Sequence, residues 1–78
     1  MSAYRYEISK NKKLTSQETK VANLVIDGHS NKRIAHMLEI TEGTVKAHLT
    51  TIFKVTNNSN RIKFIVNYYK TGSFYRGE

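Results

Sequence analysis

Cysteine is absent from this chain of 78 residues. A disulfide framework, thiolate chemistry and zinc held by cysteine are therefore excluded. Proline is absent as well, so the turns must be formed by glycine, asparagine and serine. No segment reaches the ~18 consecutive apolar residues of a membrane span, and the polar, basic N-terminus lacks the apolar core of a signal peptide. We therefore expect a cytoplasmic protein that does not enter a membrane.

Acidic residues are also scarce. Six Asp and Glu stand against 13 Lys and Arg, which gives a formal net charge of +7. A small domain this basic attracts polyanions, so nucleic acid is the first partner to consider and an anionic membrane surface the second. The length allows a single domain with a modest core.

Catalytic and metal-binding patterns are missing too. The histidines His29, His36 and His48 fall on different predicted segments and lack a metal-ligand spacing such as two His at i and i+4. No glycine-rich phosphate loop is present. The sequence therefore predicts a protein that is not an enzyme and that carries no metal and no cofactor.

Composition divides the chain into three parts. Residues 1–13 show no sustained period and are rich in lysine, so they are predicted to be a flexible basic arm or the remnant of a linker. Residues 14–72 carry the periodic apolar pattern of one domain. Residues 73–78 are expected to be a C-terminal tail.

Capping residues and apolar periodicity predict four helices and no sheet. Thr15 and Glu18 have the spacing of a capping box. The other predicted caps are Ser30 or Asn31, Thr41 and Ser59, while Gly28 and Gly72 suit left-handed helix ends. The predicted helices span residues 16–27, 31–38, 42–55 and 60–70.

The third predicted helix has two contrasting faces. Val45, Leu49 and Ile52 recur at helical spacing and predict one buried stripe. The opposite face is short-chained, polar and basic, with His48 near its boundary; it comprises Lys46, Ala47, Thr50, Thr51 and Lys54. Small residues allow close approach, hydroxyls suit phosphates, and cations suit base edges and backbone. This face is therefore a candidate for a DNA major groove, although a merely solvated face has the same composition.

The second helix favours the DNA-binding interpretation of the third helix over a merely solvated face. Only Glu39 and Ile40 separate it from the Thr41 cap, so the two helices are expected to cross steeply, as in a helix-turn-helix. Its first turn, residues 31–33, combines free backbone N–H groups with Lys32 and Arg33. Such a turn is suited to binding a phosphate.

The fourth predicted helix is apolar on two faces. Ile62, Ile65, Val66 and Tyr69 form one stripe, and the pair Phe64 and Tyr68 lies off it. A chain this small cannot bury both faces, so a seam shared between two subunits is the sharper hypothesis. Ordinary core packing is the alternative.

Four sequence blocks in this order and spacing resemble one known family. They are Leu14-Thr15-x-x-Glu18, then Gly28-x-Ser30-Asn31-Lys32-x-Ile34-Ala35, then Ile40-Thr41-Glu42-x-Thr44-Val45-Lys46-x-His48-Leu49-x-x-Ile52, and finally Arg61. This pattern resembles the LuxR-type helix-turn-helix domain, which also ends the response regulators of the NarL/FixJ group. The resemblance runs from Leu14 to about Tyr69.

The resemblance implies an all-α domain of four helices, with the third helix in the major groove and the fourth at a dimer contact. By position, the resemblance places Lys46 and Ala47 at base edges or their immediate backbone and makes Thr50 a third groove position. It places Thr44 at a phosphate, and Asn31 and Lys32 at the DNA backbone. The full predicted DNA-binding set is Asn31, Lys32, Arg33, Thr44, Lys46, Ala47, His48, Thr50, Thr51 and Lys54. The predicted dimer interface is Arg61, Phe64, Ile65 and Tyr68.

Two departures from the family pattern stand out. Arg33 occupies the place of an acid that usually completes a capping box with Ser30. The usual Lys-Leu-Gly-Val before the last helix is here Val55-Thr56-Asn57-Asn58. Two apolar core contacts, at Thr56 and Asn58, are therefore expected to be lost or rearranged, with a less well packed turn between the third and fourth helices.

The favoured function is a sequence-specific regulator of transcription in a bacterium that binds double-stranded DNA as a homodimer, or the DNA-binding output domain of a response regulator. RNA polymerase is a candidate further partner. The alternative is a helical module that docks a protein through Phe64, Tyr68 and Tyr69 while its basic face is only solvated. RNA binding is a third, weaker possibility, because most aromatic residues lie at the chain ends or in the last helix.

Overall fold

The computed structural model describes residues 13–75. Within that range the chain forms four helices and no strand: α1 (Ser16–Ile26), α2 (Asn31–Leu38), α3 (Glu42–Val55) and α4 (Arg61–Thr71). The predicted all-helical architecture is confirmed, and each predicted helix boundary lies within one residue of the observed one. Of the predicted basic arm, all but Lys13 lies outside the described residues. No helix in the described range is both long and apolar enough to span a bilayer.

Side-chain caps begin the first three helices where the sequence predicts them. Thr15 accepts a hydrogen bond from the Glu18 amide at 3.1 Å, and the Glu18 carboxylate accepts one from the Thr15 amide at 2.9 Å. Ser30 caps α2 by accepting from the Arg33 amide, and Thr41 caps α3. These bonds satisfy N–H groups that a helix start otherwise leaves without a partner.

The fourth helix begins one residue later than predicted. Its cap is Asn60 and not Ser59, because the Asn60 Oδ1 accepts from the Lys63 amide at 2.9 Å. Both residue types are competent caps, so the local sequence does not distinguish them. Gly72 closes the helix in the left-handed region with φ of +76°, where a residue without Cβ is favoured.

All four helices contribute to one core. The fully or almost fully buried apolar residues are Val21, Ala22, Val25, Ile34, Ala35, Val45, Leu49, Ile52 and Phe64. Helix α3 packs against both α1 and α2, and α4 packs against α1. Glu39 takes a left-handed conformation (φ +58°) and turns the chain between α2 and α3. The predicted helix-turn-helix is thus held by its own short turn and by α1 behind it.

The orientation of α4 differs from the sequence prediction. Phe64, predicted at a dimer contact, has no exposed surface and packs against Phe53 and Phe74, with ring centroids 5.7 and 5.6 Å away. Its assignment to the dimer interface is therefore wrong, since a residue buried within one subunit cannot contact another. The face that looks outward is the other stripe, in which Ile62 is 72% exposed and Tyr69 68% exposed.

Polar residues fill the turn between α3 and α4, where the resemblance noted above predicts apolar ones. Thr56 and Asn58 are 1% and 5% exposed, so both stay in the core. The Thr56 hydroxyl donates to the Ile52 carbonyl at 2.7 Å, and the Asn58 Nδ2 donates to the Thr56 hydroxyl at 2.9 Å. The two contacts are rearranged into a polar pair. Its one deficit is the Asn58 Oδ1, which is buried without a partner within the described range.

The residues after α4 fold back along that helix. The Phe74 ring lies against Phe64 and Tyr68, with centroids 5.6 and 5.4 Å apart. The Phe74 carbonyl accepts from the Asn58 Nδ2 at 3.3 Å. Farther along, the Tyr75 hydroxyl accepts from the Leu14 amide at 3.2 Å. The first residues of the predicted tail are therefore part of the domain.

Candidate nucleic-acid interface

The outer face of α3 is the centre of the site. Because Val45, Leu49 and Ile52 are buried, the helix cannot rotate without exposing them, and its opposite face is fixed toward solvent. Five of the predicted DNA-binding residues are exposed there: Lys46, Ala47, Thr50, Thr51 and Lys54. His48 is half-buried at the boundary of this face, as its place on the helical period predicts.

Thr44 lies exposed in the first turn of α3. Its hydroxyl is 2.9 Å from the Thr41 hydroxyl, and either oxygen can donate in that bond. Thr41 also accepts from the Thr44 amide at 3.0 Å. If Thr41 donates to Thr44, the Thr44 proton is left to donate outward. This geometry at a helix N-terminus suits a phosphate oxygen.

Thr50 presents a different group. Its hydroxyl donates back to the Lys46 carbonyl at 3.2 Å, one turn earlier in the helix. With its proton used there, the oxygen offers only acceptor lone pairs to a partner. Thr50 is exposed and also carries a methyl group, the kind of group that can contact the methyl of thymine.

Helix α2 supplies a second basic segment. Lys32 and Arg33 are exposed in its first turn, and Asn31 is half-buried. The Arg33 amide is bonded to the Ser30 hydroxyl at 3.1 Å, without the reciprocal acid of a capping box, as the sequence predicts. The remaining first-turn N–H groups and two cations form an electropositive helix start beside α3, against which α2 packs.

Arg61 makes two tertiary hydrogen bonds within the subunit. Its Nη1 donates to the Asn31 Oδ1 at 2.6 Å, and its Nη2 donates to the His29 carbonyl at 2.7 Å. The side chain thus connects the first residue of α4 to the first residue of α2 and the turn before it. Arg61 is half-buried and bonded within the subunit, and its assignment to the dimer interface stays a prediction.

The other two predicted dimer residues lie at the edge of the core. Ile65 is half-buried and packs on the core, and the half-buried Tyr68 lies against Phe74 with the two rings tilted by 31°. The exposed apolar face of α4, which we call the α4 apolar face, instead consists of Ile62, Val66 and Tyr69. Their spacing of four and three residues places them on one side of the helix.

One residue of the site was not predicted from the sequence, and a second was predicted in a different role. Gly43 is exposed four residues before Ala47, so the two small residues lie on the same side of α3. Their short side chains let another molecule approach the helix backbone closely there. That spacing was a usable signal. Arg61 contacts residues 30 and 32 positions away, and no local pattern indicates such a contact.

No group of three or more His, Cys, Asp or Glu that could hold a metal ion occurs within residues 13–75. His29 contributes its backbone carbonyl to the Arg61 contact. His36 is exposed on α2, and His48 is on α3. The three imidazoles thus lie on separate segments.

Comparison with known proteins agrees with this geometry. The family described as "Bacterial regulatory proteins, luxR family" matches residues 12–67. The chain is 39% identical over 59 residues to the transcriptional regulatory protein DegU of Brevibacillus brevis, covering 76% of this chain and 25% of that protein. It is 41% identical over 54 residues to a glycerol metabolism activator of Pseudomonas putida, covering 69% and 24%.

A third relative is the CsgBAC operon transcriptional regulatory protein of Escherichia coli (strain K12), 39% identical over 62 residues, with 80% of this chain and 29% of that protein covered. The chain thus spans about a quarter of the length of these relatives. No solved structure matches it. The match over residues 12–67, together with the four-helix fold, shows that this chain belongs to the LuxR family of bacterial regulatory proteins and has the family's helix-turn-helix DNA-binding domain.

Proposed function

We propose that this domain regulates transcription by binding specific sequences of double-stranded DNA, with α3 in the major groove. One observation carries the proposal: α3 presents an exposed face of small, hydroxyl-bearing and basic side chains while its other face is anchored in the core. The major groove admits an α-helix, and such a face combines close approach with groups that recognise bases and phosphates.

Within that face we assign two kinds of contact. Lys46 and Thr50 lie one turn apart on the exposed side, with Ala47 between them, and these three are proposed to face base edges. Thr44, Asn31 and Lys32 lie at the starts of α3 and α2, where a helix favours anions, and they are proposed to hold phosphates. Arg33, His48, Thr51 and Lys54 are proposed to flank these contacts.

We propose that two copies pair on DNA through the α4 apolar face. Ile62 and Tyr69 are each more than two-thirds exposed, and Val66 between them is 48% exposed. A continuous apolar strip of this kind loses unfavourable contact with water when it meets its own copy across a twofold axis. Ile65 and Tyr68 lie at the margin of this strip and are proposed to border the seam.

The relatives are named as regulators and activators of transcription, and we propose the same role here, without enzymatic activity. Such a protein acts where bacterial DNA is, so we propose the cytoplasm as its location. RNA polymerase is proposed as a protein partner once the domain is bound to DNA. The matched segment covers only about a quarter of each relative, so a response regulator's output domain is one setting for this chain.

The test is selection of bound duplexes from a random library, followed by affinity measurements at several salt concentrations. We expect an enriched sequence with two related half-sites. Each phosphate contact releases counterions. The affinity for the enriched sequence should therefore fall at least about tenfold between 50 and 200 mM salt. A library that yields no enriched sequence would contradict the proposal.

The same salt titration distinguishes DNA binding from the alternative function, the docking of a protein. A helical module that docks a protein through apolar groups would leave duplex DNA unbound and would show little salt dependence toward its partner, because apolar burial releases few counterions. The exposed α4 apolar face keeps this alternative physically reasonable. Steep salt dependence with duplex DNA would exclude it as the main function.

A further inference from the structure

The contact between Arg61 and Asn31 fixes more than the distance between two helices. Asn31 is the first residue of α2, where the proposed phosphate contact lies, and Arg61 is the first residue of α4. The bond from the Arg61 Nη1 to the Asn31 Oδ1 is 2.6 Å long. A charged donor at this distance forms one of the stronger classes of hydrogen bond in proteins.

The guanidinium determines which way the Asn31 amide points. Arginine has five N–H donors and no acceptor, so it can bind only the oxygen of the amide and never the nitrogen. The Asn31 Oδ1 therefore points toward Arg61, and the Nδ2 points away from it. No described residue accepts a hydrogen bond from that nitrogen. Among residues 13–75, an N–H donor is thus left without an acceptor at the start of α2.

Helix stability alone does not explain an arginine at this place. A cation in the first turn of a helix opposes the helix dipole, and Arg61 lies in the first turn of α4 while reaching the first turn of α2. Both of its acceptors, the Asn31 amide and the His29 carbonyl, are uncharged. Its position is unfavourable for both helix starts but favourable for holding an amide donor near an anion.

We infer that Arg61 is a positioning residue for DNA binding. It holds the Asn31 side chain with its Nδ2 directed toward a DNA phosphate, and it fixes the turn before α2 through the His29 carbonyl. The inference rests on the proposed function, because it concerns the phosphate contact of α2. It also makes α4, which carries the proposed seam, a mechanical support of the backbone contact.

The experiment is a double-mutant cycle measured as duplex affinity. Arg61→Met keeps a flexible, unbranched side chain but removes the hydrogen-bond donors and the charge, and Asn31→Ala removes the amide. Each single change should weaken binding to specific and scrambled duplexes alike by about tenfold, the loss of roughly one charge-assisted bond. In the Asn31→Ala background, Arg61→Met should have at most about a threefold further effect, because the group it positions is already gone.

Two further variants separate positioning from folding. Arg61→Lys keeps the charge and can still donate to the Asn31 Oδ1, so it should recover part of the affinity lost in Arg61→Met. Tyr75→Phe is the control, because it removes another tertiary hydrogen bond, to the Leu14 amide, far from α2 in the sequence. Tyr75→Phe should bind DNA as the parent does. Circular dichroism melts identify the temperature range in which all variants are folded.

The outcomes divide cleanly. A parent that binds no duplex would overturn the proposed function and this inference with it. A parent that binds DNA, with Arg61→Met and Asn31→Ala acting independently, would overturn only the inference, since Arg61 would then contribute charge or stability alone. The inference would also be contradicted if Arg61→Lys bound DNA no more tightly than Arg61→Met.

Discussion

At the scale of single residues, a lysine on the outer face of α3 and a lysine at the start of α2 are suited to different DNA contacts. Lys46 is exposed on the side of α3 opposite Val45, Leu49 and Ile52, where the proposed groove contact would bring its ammonium to guanine O6 and N7. Lys32 is exposed in the first turn of α2, where the helix dipole favours an anion. One is suited to recognising a base and the other to neutralising a phosphate.

Lys46→Ala should therefore weaken binding to the preferred duplex by about 1–3 kcal/mol and relax the preference at one or two base pairs. Lys32→Ala is the matched change, and it should weaken all duplexes alike and reduce the slope of log affinity against log salt by about one unit. Both are measured by fluorescence anisotropy with a specific and a scrambled duplex. Equal loss on both duplexes for Lys46→Ala would assign base recognition to Ala47, Thr50 or Thr51 instead.

The residues of α3 were predictable from the sequence because a helical period of apolar residues also determines its opposite face. Val45, Leu49 and Ile52 fix the buried side, so Lys46 and Thr50 must be exposed. Arg61 was not predictable in the same way. Its partners are 30 and 32 residues away, and only the packing of α4 against the rest of the domain brings them together.

At the scale of elements, α4 shows what periodicity leaves open. The sequence carries two apolar stripes, and the helical period does not say which of them is buried. Phe64 is buried because Phe53 and Phe74 surround it with aromatic contacts, and Phe74 lies beyond the helix in a segment that was predicted to be a tail. The choice of buried face is therefore a long-range property.

The exposed stripe leads to a test of pairing. Val66→Glu places a charge at the middle of the α4 apolar face, where Val66 is 48% exposed, so the fold should tolerate it. Each substitution counts twice across a twofold seam. Affinity for a duplex with two half-sites should fall by about tenfold, because the contact that links two bound copies is weakened. Affinity for a duplex with one half-site should change no more than in the control.

The control is Asn23→Glu, which adds the same charge at an exposed position on α1. It accounts for the general repulsion between an added carboxylate and DNA. If Val66→Glu and Asn23→Glu bind the two-site duplex equally well, the seam does not lie on the α4 apolar face. Analytical ultracentrifugation of both variants on DNA reports whether one or two copies are bound.

At the scale of the whole molecule, the residues after α4 complete the core of a small domain. Phe74 is half-buried and contacts Phe64 and Tyr68, while its carbonyl accepts from Asn58. A chain of this size buries little apolar surface, so a single aromatic ring is a notable share of its stability. The family match ends at residue 67, so this support lies outside the matched region.

Phe74→Ala should therefore lower the free energy of unfolding by about 1–2 kcal/mol, less than for a fully buried phenylalanine because the ring is half-exposed. Chemical denaturation followed by circular dichroism measures the change. Met37→Ala is the comparison, because Met37 is 41% exposed on α2 and its truncation should cost less than about 0.5 kcal/mol. Equal stability of Phe74→Ala and the parent would mean that residues 73–75 lie on the domain without supporting it.

The hydrogen bond between the Tyr75 hydroxyl and the Leu14 amide has a mechanical consequence. Its 3.2 Å length places two residues 61 positions apart at one point on the surface, with α2 and α3 between them along the chain. Tension applied at residues 14 and 75 would pull apart two points that lie side by side on the surface. The contacts near the two ends of the domain would therefore break one after another and not all at once. The force would act first on α1 and α4. It would act last on α2 and α3, the helices proposed to contact DNA.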